Sequence, residues 1–184
     1  MKKILKQALS LFLIAVIVTA LVAFMRNRTL EPIEKQRAAV QDQMMRVLLK
    51  SADSFQQLDA EKTGSIVNIY EGLNNNQTLG YIVELAPSGY SGTINIMVGI
   101  SKKEENISGM RILKLSETPG LGALALKEDF YKRFDNKKLV ELKVTRSSPA
   151  DDEIQAITSA TITSRTVTNA VNEAITWYKQ GGVK

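Results

Sequence analysis

Seven residues near the C-terminus, Thr158-Ser159-Ala160-Thr161-Ile162-Thr163-Ser164, gather hydroxyls directly before residues 165–178, whose apolar spacing predicts a helix. A helix start presents unpaired backbone N–H groups and the positive end of the macrodipole. A phosphate is therefore stabilised there without a neighbouring Lys or Arg. A hydroxyl in that place can hold a phosphate or be esterified by one. The ordinary alternative is a Ser/Thr-rich N-cap, with Thr163 or Ser164 as the capping residue. Both readings are compatible, since a capped start is what would bring Thr161 beside free N–H groups.

A second string, Glu117-Thr118-Pro119-Gly120-Leu121-Gly122, combines a tight-turn dipeptide with a glycine that permits close approach of backbone to a ligand or a neighbouring chain. Alone it reads equally as a strand-to-helix turn with a Thr cap.

Taken together and in this order, the two strings resemble the signature elements of the FMN-binding domain family. That domain occurs in the G subunit of Rnf complexes and the C subunit of sodium-pumping NADH:quinone oxidoreductase. The resemblance spans roughly residues 64–174 and implies that Thr161 carries FMN through a phosphoester. Thr158, Ser159, Ala160 and Thr163 would shape the turn around it, and Glu117, Thr118, Gly120, Leu121 and Gly122 would line the flavin. It also implies maturation by a separate flavin transferase that uses FAD and a divalent metal. Two positions depart from the family pattern: Ser159 stands where Gly is usual, and Gln155 where an Asp is frequent. If the backbone at 159 requires positive φ, Ser is unfavourable there.

Ala160-Thr161-Ile162-Thr163 with Arg165, Val167 and Asn169-Ala170-Val171 looks closer to the Rnf members, as does the short chain. The implied role is electron relay within a membrane complex that couples ferredoxin oxidation and NAD reduction to sodium or proton transport, so other subunits are implied partners. Three other readings stay open: the C subunit of the quinone reductase, a stand-alone membrane-anchored extracytoplasmic flavoprotein, and a non-redox anchored domain. Tyr90, Trp177 and Tyr178 could stack on a flavin, although aromatics at such positions commonly pack in a core.

The 184 residues include no Cys and no His. Thiolate and imidazole metal sites, iron–sulfur ligation and His- or Cys-dependent catalysis are thereby excluded, and redox chemistry needs an organic cofactor. No catalytic residue and no metal ligand set is legible. The net charge of +5 is scattered rather than striped, so nucleic-acid binding is not expected.

The elements that must carry these strings follow. Residues 8–25 contain no charge and approach the roughly 20 residues that cross a bilayer as a helix. A cleavable signal peptide is the alternative, with Val18-Thr19-Ala20 as a small-x-small site. Lys2, Lys3 and Lys6 lie before the span; Arg26 and Arg28, with Glu31 and Glu34, lie after it. Positive charge biases the N-terminus inside and the large domain outside the cell membrane. The expected organisation is a basic flank at 1–7, a transmembrane helix at 8–25, a connecting helix or linker at 26–62 and an FMN-binding domain at 63–184. The connecting helix should start at Glu31-Pro32 and run to Lys50, with Ile33, Val40, Met44, Val47 and Leu48 at helical spacing. Strands are expected at 65–70, 81–85, 93–100, 110–114 and 139–144, and a helix at 121–134 with Leu121, Leu124, Phe130 and Phe134 buried. Breaks between the early strands are too short for crossover helices. The fold class is therefore α+β, a mainly antiparallel sheet with flanking helices, preceded by one N-terminal transmembrane helix.

Overall fold

The computed structural model describes residues 2–60 and 63–182, without the side chains of Asn27, Leu30, Glu31 and Glu34. The flanking charges Glu31 and Glu34 lie outside the described side chains. The ends of two expected segments, at 61–62 and 183–184, lie outside the described residues. The chain divides into two compact units between Asp42 and Gln43.

The first unit is helical. Helix α1 (Lys2–Leu48) runs through it without a break and carries Pro32 in its interior. The expected helix start at Glu31-Pro32 is thus not a start. Proline forfeits one ladder donor, yet its fixed φ is helical, and strong helix formers on both sides keep the segment continuous. Residues Lys2–Arg26 form one helix long and apolar enough to cross a membrane, with a mean hydropathy of 2.8 over its best window.

The second unit starts with the last turns of α1 and is built on a six-stranded antiparallel sheet in sequential order. Its strands are β1 (Ser54–Leu58), β2 (Ile66–Asn74), β3 (Gln77–Leu85), β4 (Asn95–Ser101), β5 (Asn106–Lys114) and β6 (Lys137–Lys138). The β2–β3 hairpin turns through Asn75 and Asn76, both at positive φ (48° and 62°), which Asn tolerates better than most residues. Strand β1 lies outside the expected strands. Its sequence SFQQL is mostly polar, and its burial is half at best. Only pairing with β2 makes it a strand. Strands β2 and β5 also begin or end well beyond the expected runs, because ladder hydrogen bonds extend them through polar residues.

Alternation in the central strands sorts side chains to two faces. Tyr81, Val83 and Leu85 of β3 and Ile96, Val98 and Ile100 of β4 join the main core, whereas Ile82 and Met97 point the other way. That second face is covered by Met45, Leu48, Leu49 and Ala52. The spacing had nominated Val40 and Val47, which are exposed. Of the expected stripe, Leu48 is buried and Met44 is partly buried against the same cluster.

Helix α3 (Thr161–Lys179) covers the main face with Val167, Ala170, Val171, Ala174 and Ile175, all buried. Two side chains lock it. The Ser65 N–H and Oγ–H donate to the two Glu173 carboxylate oxygens, each at 2.6 Å. Asn172 accepts from the Leu142 N–H (2.8 Å) and donates to the Leu142 carbonyl (2.9 Å). Trp177 is buried edge-to-face on Tyr81 at 5.8 Å, with Tyr178 tilted on the same ring, so both are core aromatics. Burial first, then the Glu71 carboxylate and Tyr178, push the Tyr81 phenol above its ordinary value.

Two expectations fail between β5 and α3. The single helix at 121–134 is instead a 3-10 segment (Gly122–Leu126), a four-residue helix α2 (Glu128–Tyr131) and a second 3-10 turn (Lys132–Phe134). Phe130 and Phe134 are buried as expected, but Leu121 is exposed. Lys127, in extended conformation, interrupts the helix so that the short pieces can wrap the core. The strand at 139–144 is likewise absent over most of its length. The chain pairs instead at β7 (Lys143–Thr145), parallel to β8 (Glu153–Gln155), where Ile154 is fully buried.

Candidate functional site

Antiparallel register brings three connections to one end of the sheet. Asn95 at the start of β4 pairs with Lys114 at the end of β5. The β3–β4 loop (residues 86–94) and the segment after β5 therefore emerge side by side. The start of α3 joins them, where the Thr166 hydroxyl donates to the Ser88 carbonyl at 3.4 Å.

After β5, Thr118-Pro119-Gly120-Leu121 forms a tight turn. The Leu121 N–H donates to the Thr118 carbonyl at 3.1 Å, and Gly120 has φ of 79°. Proline second and a positive φ third are the chemistry of a type II turn. The two glycines differ in purpose. Around Gly120 nothing would meet a Cβ within 4 Å, so its requirement is conformational. Gly122 is buried, and a Cβ there would stand 2.6 Å from Thr163 Oγ1 and 2.9 Å from Glu117 Cβ, so its requirement is space.

The hydroxyl string turns sharply into α3. Ser159 has φ of 63°, the left-handed conformation that glycine adopts without cost. Ala160 is the N-cap residue and makes no side-chain cap bond. The expected caps, Thr163 and Ser164, instead lie inside the first turn and are buried. Ser164 ties the turn from within: the Ile157 N–H donates to its Oγ (2.9 Å), and its hydroxyl donates to the Ala160 carbonyl (3.0 Å). Turning inward, the Ser164 hydroxyl satisfies the turn's own backbone rather than the helix end. Thr161, the first residue of α3, is half-buried and sits where backbone N–H groups lack intrahelical acceptors.

Between the two strings lies a cleft of about 470 Å³ lined by Glu117, Thr118, Leu121, Gly122, Ser159, Ala160, Thr161 and Thr163, with Tyr90, Arg146 and Ile162. Eight of the ten residues nominated from sequence thus share one cavity. The other two do not line it. Gly120 shapes the turn behind it, and Thr158 faces an adjoining cavity of about 430 Å³ with Gln155, Ile157, Arg146, Ser159 and Thr161. Arg146 borders both cavities and was missed; a lone Arg in a polar link carries no sequence signal. Glu117 is the half-buried hub on the opposite wall. Its Oε1 accepts from the Tyr90 N–H at 2.7 Å and the Ser91 N–H at 3.4 Å, fixing the β3–β4 loop.

The cavity is of ordinary ligand size and joins the apolar side chains of Leu121 and Ile162 to a helix start, the Arg146 cation, the Glu117 carboxylate and the hydroxyl residues Thr118, Ser159, Thr161 and Thr163. It suits a flat ring with an anionic tail better than proton-transfer chemistry.

Two family descriptions match the chain: the FMN-binding domain over residues 89–176, and the RnfG N-terminal region over residues 1–48. The G subunit of the proton-translocating ferredoxin:NAD(+) oxidoreductase complex of Clostridium ljungdahlii is 35% identical over 141 residues, covering 77% of this chain and 73% of that protein. The G subunit of the Na(+)-translocating ferredoxin:NAD(+) oxidoreductase complex of Acetobacterium woodii is 32% identical over 194 aligned positions, covering 97% and 93%. Among solved structures, the C subunit of the Na(+)-translocating NADH-quinone reductase from Parabacteroides distasonis superposes with a TM-score of 0.61 at 19% identity, over 84% of this chain and 98% of its own. Shewanella oneidensis NqrC superposes with a TM-score of 0.59 at 14% identity, over 75% and 93%. At such identities the two structures establish a shared fold.

Proposed function

This chain belongs to the RnfG family of ion-translocating oxidoreductase complexes, with an FMN-binding domain and a membrane-type N-terminal helix, and we propose that it relays electrons through FMN esterified to Thr161. The single observation that carries the reading is that Glu117, Thr118, Leu121 and Gly122 line one cleft together with Ser159, Ala160, Thr161 and Thr163. The cleft fits the group. Tyr90, Leu121 and Ile162 offer exposed apolar surface to a ring, and the α3 start offers N–H groups to a phosphate. Bound FMN supplies one- and two-electron exchange at its isoalloxazine.

The chain's own residues bind and orient. Thr161 supplies the ester oxygen, Ser164 holds the turn that presents it, and Arg146 contributes positive charge beside the ester. A threonine hydroxyl has no special nucleophilicity, so a flavin transferase must activate it. With FAD as donor, Thr161 Oγ1 would supply the oxygen that takes the FMN phosphoryl group, AMP would be the leaving group, and the hydroxyl proton would pass to the transferase or solvent. Within the family's complexes the partners are the other subunits. The soluble domain lies outside the cytoplasmic face, following the excess of Lys before the span.

The deciding experiment is the intact mass of the native protein beside Thr161→Ala, both made in a host that supplies the transferase. A mass increase equal to esterified FMN, lost in the variant, is expected. An unmodified native protein sinks the covalent reading.

A further inference from the structure

Beyond α1, six large apolar side chains are exposed among the described residues: Val67, Tyr90, Leu121, Leu126, Val140 and Ile162. Three of them, Tyr90, Leu121 and Ile162, line the one cleft that holds Thr161. Apolar surface gathered at one concavity is the mark of a seat that a ligand covers. Tyr90 stands out, with 72% of its surface exposed.

Its backbone is nevertheless fixed. The Tyr90 N–H donates to Glu117 Oε1, the Gly89 N–H donates to the Gly92 carbonyl at 2.8 Å, and Ser88 bridges to Thr93 across the loop. A Cβ at Gly89 would stand 2.7 Å from Ile94 Cδ1, so the loop is pressed onto the sheet end. The ring itself has no aromatic or cationic partner among the described residues. A rigid backbone that leaves a flat aromatic uncovered at a cavity mouth is preorganised for stacking.

We propose that Tyr90 is the ring-contact residue of this cleft, lying against the isoalloxazine, with Glu117 as the residue that positions it. The inference rests on the flavin reading of the same cleft. It assigns Glu117 a role through the loop: its carboxylate sets where the phenol stands, while Leu121 and Ile162 complete the apolar seat.

Stacked tyrosine has an optical signature. On excitation the phenol passes one electron to the excited flavin and receives it back without emission, leaving both unchanged and the flavin dim. Phenylalanine packs alike but does not donate. Trp177 does not interfere, being buried in the core and about 24 Å further along α3 than Thr161.

The test uses native, flavinylated protein, with FMN occupancy fixed by intact mass, and reads flavin emission and the visible absorption band. Tyr90→Phe should brighten emission severalfold with the absorption band unchanged. Tyr90→Ala should brighten it as well and move the band toward that of free FMN. Emission of Tyr90→Phe equal to wild type at equal occupancy overturns the assignment, as does an unmoved band in Tyr90→Ala. Wild-type protein without FMN overturns the flavin reading itself, and this inference with it.

Discussion

Gly122 and Thr163 pack directly against each other at the cleft: a Cβ on the buried glycine would stand 2.6 Å from the threonine Oγ1. Two strings far apart in sequence thus fit each other through a missing side chain. Gly122→Ala must push Thr163 or Glu117 aside, an overpacking cost of about 1–3 kcal/mol. Its urea midpoint should fall, and the fraction carrying FMN by intact mass should fall with it. Stability and loading both equal to wild type would mean the contact is slack.

Ser159 offers a change of the opposite sign. At φ of 63° a non-glycine residue bears strain of about 1–2 kcal/mol, part of which glycine returns as unfolded-chain entropy. Ser159→Gly should therefore gain up to about 1 kcal/mol in urea unfolding. Flavinylation should proceed at least as fast as in wild type. A destabilised variant would show that the Ser159 side chain makes up for its strain elsewhere.

Ser164 is fully buried and serves two partners at once. In Ser164→Ala the Ile157 N–H loses its acceptor inside the core, a loss of about 1–3 kcal/mol. The turn that presents Thr161 loosens as well. Thermal unfolding should report the first effect, and slower incorporation of FMN by a limiting amount of transferase the second.

Glu117→Ala should separate function from stability. The bonds it removes go to exposed backbone N–H groups that water can serve, so the unfolding free energy should drop by only about 1 kcal/mol. The β3–β4 loop loses its anchor, and flavin emission should rise toward the level of the Tyr90 variants. Emission as dim as wild type would separate Tyr90 placement from this carboxylate.

The sequence made the two nominated strings, the charge-free run at 8–25 and the stripe on α3 legible because each is a local pattern, and the pairing of the two strings rested on their resemblance to the FMN-binding family. It also indicated an antiparallel sheet, since the breaks between strands are short. It failed where long-range contacts decide. Strand β1 exists only through pairing with β2, and the segment at 121–134 breaks into short pieces to wrap the core. Thr163 and Ser164 are buried inside the first turn of α3 where caps were expected, and Ser164 bonds the backbone of the preceding turn, at Ile157 and Ala160. Residue types thus determined which groups the proposed site has to offer a phosphate and a flat ring. Register between β4 and β5, and the left-handed turn at Ser159, determined that Glu117, Gly122, Tyr90 and Thr161 share one cleft, since meeting in space depends on pairing across the whole domain.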